Sequence, residues 1–130
     1  MTLFGLLLTL SGLSQREAAA FLRLSATSID KMSRGTRATP GGVIVEMRAL
    51  IARQQAAADE ALDQIDRLAP PEVEIGYPAD DHEAQALGWP CVSAWQAMAA
   101  RIVAEVNVPV RLVPRGATAG TARAADEHGT

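Results

Sequence analysis

The chain is 130 residues long, 48% apolar and only 4% aromatic, which fits one domain or two very small ones built on Ala and Leu and excludes the core of a large enzyme. A single cysteine, Cys91, excludes an internal disulfide framework and a cysteine-based zinc site, and fits small core filler in a reducing cytoplasm. The net charge of −3 hides a division, because residues 1–55 carry seven basic against three acidic side chains and residues 56–130 carry five against twelve; the positive field belongs to the first half.

Leu3 to Leu13 is nearly all apolar. It has no basic residues before it, as a secretory leader would, and it is far short of the roughly 20 residues that span a bilayer. It is expected to be a buried helix behind the elements that follow. Ser14 and Glu17 then form the pattern of a capping box, which opens a short helix. Ala19, Leu22, Leu24, Ile29 and Met32 are spaced as apolar contacts of two helices crossing steeply around a tight turn. Ser25 caps the second helix and Gly35 ends it.

The stretch Ser14–Gly35 resembles the helix-turn-helix of phage-repressor-like (XRE-type) transcription regulators. The features that carry the resemblance are Gln15 opening the first helix, Ala19 four residues on, the Leu24-Ser25 step, Ile29 in the second helix, and Arg34-Gly35 closing it. Arg23 stands where the family often has Gly in the turn, and Met32 where relatives often carry an aromatic residue. A non-Gly turn residue there must adopt the left-handed conformation or the turn must differ. The resemblance implies that the second helix enters the major groove of double-stranded DNA. Ala26, Thr27, Ser28, Lys31 and Arg34 would then meet base edges or phosphates, and Gln15 and Arg16 would lie near a backbone phosphate. Asp30 either accepts from cytosine or pairs with Arg34.

Thr36 to Gly42 reads as a loop, with Thr39 capping the next helix and Pro40 at its first position. Arg37 in this loop suits either a DNA phosphate or an ordinary connection. Val43 to Leu68 is free of Gly and Pro and reads as a long helix. Val43, Ile44, Met47, Leu50 and Ile51 close a four-helix N-terminal core. Met47, Ile51, Gln54, Ala58, Ala61, Ile65 and Leu68 then trace a narrow seam.

Ala69-Pro70-Pro71 ends that helix, and the expected organisation is residues 1–69 as a DNA-binding domain, 70–114 as a small α/β domain and 115–130 as a disordered tail. Within 70–114 the order is strand, helix, helix, strand. Val73, Ile75 and Tyr77 alternate on the first strand, a short helix runs from Asp80 or Asp81 to Leu87, and a longer one covers Val92 to Glu105. Val108, Val110 and Leu112 alternate on the last strand. Two strands and two helices bury little on their own, so pairing with a second copy is expected, through Val73, Ile75, Trp95, Val110 and Leu112. This half, with LGWPCVSAWQAM, is similar to the dimerising half of anti-CRISPR-associated repressors.

The fold class expected is therefore mostly α, a helix-turn-helix part followed by a small α/β part. The function expected is a homodimeric repressor on a palindromic operator. A different class, an antitoxin whose acidic half neutralises a partner protein, remains open, as does a helix-turn-helix that only scaffolds protein contacts. No cofactor, metal or catalytic residue is implied, and the chain does not read as an enzyme. Asp80-Asp81-His82-Glu83 is the densest group of candidate metal ligands, and a capped helix start explains it better.

Overall fold

Each of the short N-terminal helices starts on a residue whose side chain can satisfy the first free backbone N–H groups. A computed structural model of the protein, which describes residues 1–117, shows how. Helix α1 (Leu3–Ser11) is capped by Thr2, whose hydroxyl accepts from the N–H of Gly5, and ends on Gly12 in the left-handed conformation. Helix α2 (Gln15–Leu22) has the full capping box, with Ser14 Oγ accepting from Glu17 N at 3.1 Å and Glu17 accepting from Ser14 N at 2.9 Å. Ser25 caps helix α3 (Ala26–Arg34) and Gly35 closes it. Each such cap contributes about 1 kcal/mol.

Helix α4 (Gly41–Leu68) is unbroken along its 28 residues. Its start corrects the expectation for Thr39 and Pro40: Pro40 itself is the capping position, with no side-chain hydrogen bond, and the first helical residue is Gly41. Ala69 ends α4 in a left-handed conformation before the proline pair. Strand β1 (Val73–Tyr77), helix α5 (Asp81–Ala86), helix α6 (Val92–Glu105) and strand β2 (Val110–Pro114) follow, with a single turn of 3-10 helix at Arg115–Ala117. Of the expected tail, residues 118–130 lie outside the described residues.

The strands are parallel, in the register Val73↔Val110, Ile75↔Leu112 and Tyr77↔Pro114, so Val73, Ile75 and Tyr77 share a face with Val110 and Leu112, whereas Val108, expected on the second strand, precedes it. Pro109 precedes β2, and its carbonyl accepts from Val73 N. The fold is thus mostly α with a small βααβ part, as expected.

One apolar core runs through both parts. Phe4, Leu8, Leu22, Ile29, Met32, Met47 and Leu50 belong to the same buried cluster as Ala84, Trp89, Trp95, Met98 and Ile102. Helix α6 packs along α4, and α1 touches α3, α4 and α6. At the centre is Gln54, fully buried, donating from Nε2 to the carbonyls of Ser11 (2.9 Å) and Ala94 (3.0 Å) and so tying α1, α4 and α6 together. Arg53 adds a second link, lying 5.0 Å above the ring of Trp89 and donating to the carbonyl of Gly88.

Helix α1, expected to be buried, is buried on one side only. Phe4, Leu8 and Ser11 face the core, but Leu3, Leu6 and Leu10 are more than half exposed.

Candidate nucleic-acid interface

Helices α2 and α3 pack against each other through a turn that Arg23 makes possible. Arg23 adopts φ 58°, ψ 43°, so the turn keeps the left-handed geometry that glycine usually supplies, and its N–H bonds to Ala19 O. Ala18, Leu22, Ile29 and Met32 are buried in the contact, while Ala19, expected at the close approach, is half-buried. Thr2 fixes α3 from behind, its hydroxyl donating to Ser33 O at 2.9 Å. That contact was not legible in the sequence, because the two residues lie 31 positions apart.

With Ile29 and Met32 turned inward, the opposite side of α3 is available to solvent. Ala26, Thr27, Lys31 and Arg34 are exposed, and Ser28 and Asp30 half-buried. Gln15 and Arg16 are exposed at the start of α2. Arg37 is brought to the same surface: its guanidinium donates to Ser28 Oγ at 2.7 Å, and Ser25 Oγ reaches the same hydroxyl at 3.0 Å. Thr36 anchors the loop by donating to Lys31 O at 3.3 Å. The eight residues expected at a DNA contact therefore line the α2 start, the outer side of α3 and the loop beside it.

Three of these groups, Arg34, Ser28 and Arg37, are not fully at liberty. Arg34 Nε is 3.1 Å from Asp30 Oδ1, so Asp30 takes the pairing alternative. The pair is exposed and worth at most about 1 kcal/mol, a cost that a stronger phosphate or base contact readily offsets. Ser28 already accepts two hydrogen bonds, which leaves Lys31 and Thr27 as the side chains of α3 with the most freedom to reach outward.

The five residues expected at a dimer contact are not brought together on one free surface. Trp95, only 7% exposed, and Val73 are buried in the chain's own core, Ile75 and Val110 are half-buried, and Leu112 alone is exposed. Arg111 lies against Glu74 and 3.6 Å from Glu72, closing one side of the sheet with charge.

The acidic run at the start of α5 is used up in local structure. Asp80 Oδ1 accepts from Glu83 N at 2.9 Å, Glu83 accepts from Ala79 N at 2.5 Å, and Asp81 accepts from Val92 N at 2.9 Å. Cys91 is buried, near enough to Glu17 to feel its negative charge. Burial and that neighbouring negative charge push the thiol above its ordinary value, the opposite of what a nucleophile needs. Among the described residues no helix is long and apolar enough to cross a membrane.

No model of a known protein family matches this chain, and comparison with curated proteins finds no match.

Proposed function

We propose that this chain is a sequence-specific DNA-binding transcription regulator, acting as a homodimeric repressor on a palindromic operator, its own promoter region being the first candidate. The observation that carries the proposal is the α3 surface. One side of a nine-residue helix is sealed into the core, and the other presents Thr27, Lys31 and Arg34, with Arg37 clasped against it through Ser28. Lys31 and Arg34 supply donors for guanine O6 and N7 or for phosphate, Thr27 for either, and Ala26 a methyl contact for thymine. Gln15 and Arg16 take a flanking phosphate, and the net positive charge of residues 1–55 favours approach to a polyanion.

A gel-shift titration with the DNA upstream of the gene, against scrambled DNA of equal length at fixed near-physiological salt, tests the proposal. Selective binding is expected. Lys31→Ala and Arg34→Ala should each weaken it, by about 1–3 kcal/mol where the side chain reads a base, and leave the circular dichroism spectrum unchanged because both are exposed. Equal affinity for operator and scrambled DNA, or no binding to either, would overturn the proposal.

A second reading, an antitoxin, draws on the exposed Asp59, Glu60, Asp63 and Asp66 on the distal half of α4, which suit a basic protein surface. Co-purification of a basic partner, lost on neutralising these four, would favour it.

A further inference from the structure

Helix α1 carries no charge, with no ionisable side chain between Thr2 and Gln15. Its outward stripe is Leu3, Leu6 and Leu10, at 54%, 52% and 53% exposure, spaced by three and four residues as in a helix-packing seam. Beside it runs a groove of ≈ 490 Å³ between α1, α4 and α6, floored by Leu7, Leu10, Ile51, Ala52 and Ala104. Leu10 belongs to both the stripe and the groove, so a convex apolar ridge and a concave apolar trough lie side by side on one face. A two-fold axis through such a face sets each ridge into the other copy's trough, which is the self-complementarity an isologous interface needs.

The charges at the groove's ends have the same symmetry. The groove follows α4 from Arg48 to Leu62, fourteen residues and about 21 Å of helix. Arg48 marks one end, and Glu105 sits beside Leu62 at the other, both of them also lining a small pocket at the end of α4. Arg101, between them, is already held by Ile51 O (3.4 Å) and Gln55 Oε1 (3.0 Å). When two such grooves face each other antiparallel, Arg48 of each copy meets Glu105 of the other.

We propose that a second copy of this chain docks on the α1 face, with the Leu3-Leu6-Leu10 ridge of each protomer in the groove of its partner and Arg48 paired with Glu105 across the interface. This places the contact on the N-terminal half, away from strands β1 and β2. It rests on the homodimer part of the proposed function, but its readout is the mass of the protein without DNA, so failure to bind DNA would leave it standing.

The test is sedimentation velocity over a concentration series on the full chain. The wild type is expected to dimerise, and Leu6→Glu to remain a monomer with an unchanged circular dichroism spectrum, since Leu6 is half exposed. Arg48→Glu should weaken the dimer by about ten-fold or more, and the double change Arg48→Glu with Glu105→Arg should restore it. Three results would overturn the proposal: a wild type that stays monomeric, a dimer indifferent to Leu6→Glu but broken by Leu112→Glu, or a charge reversal that the second reversal does not rescue.

Discussion

Glu17 joins chemistry from distant parts of the chain at one carboxylate. It caps α2 by accepting from Ser14 N, and it also accepts from Ser93 Oγ at 3.0 Å. Burial works against its charge, but these donors outweigh burial and hold its carboxyl below the ordinary value of 4.5. A carboxyl whose folded value lies below its unfolded one stabilises the fold above the unfolded value and loses that contribution as pH falls through the folded one. Chemical denaturation from neutral pH down through 4.5 and below should therefore show a steeper loss of stability in the wild type than in Glu17→Gln. Equal pH slopes would mean that the carboxyl gains nothing from folding. The capping half of this role was legible, because Ser14 and Glu17 are three residues apart. The Ser93 half was not, since no periodicity encodes a contact across 76 residues.

Among the helices, two left-handed positions show how much an element's end depends on what surrounds it. Gly12 (φ 78°) ends α1 where α6 comes very close: a Cβ built there would stand 2.8 Å from Ser93 O and 2.9 Å from Ala97 Cβ. Arg23 (φ 58°) has nearly the same backbone conformation, but its side chain is exposed. The expected effects of substitution are opposite in sign. Gly12→Ala adds left-handed strain of about 1–2 kcal/mol and a clash with backbone, for a loss of at least about 2 kcal/mol. Arg23→Gly removes that strain at a smaller cost in unfolded-chain entropy, for a gain of about 0.5–1 kcal/mol. Urea midpoints of the two variants at constant slope would check both. The turn at Arg23 was legible from its place between two capped helices. Neither the approach of α6 to Gly12 nor the missing side-chain cap of α4 was, for each is fixed by neighbours distant in sequence.

For the whole molecule, what matters is where the apolar faces find their partners. The helix over Val92–Glu105 and the seam on α4 from Met47 to Ile65 were both evident in the sequence, though Leu68 at the seam's end is exposed, and the proline pair at 70–71 does end α4. Periodicity says which face is buried and not what buries it, and here α6 covers α4 of the same chain, with Gln54 at the joint. The consequence is that residues 1–69 and 70–114 stabilise each other. Removing everything after Ala69 would expose the seam at Gln54 and Ala58, both fully buried, and take Trp95, Met98 and Ile102 from the core. That chain is expected to lose its cooperative fold. In the intact protein both tryptophans, Trp89 and Trp95, lie in the second part, while α1 to α4 supply most of the helix, so the two signals watch different parts of one core. Urea unfolding followed by tryptophan fluorescence and by circular dichroism should give coincident transitions. Separate midpoints, or a stable fragment ending at Ala69, would show that the proline boundary divides two independent units and that the α4–α6 contact is incidental to stability.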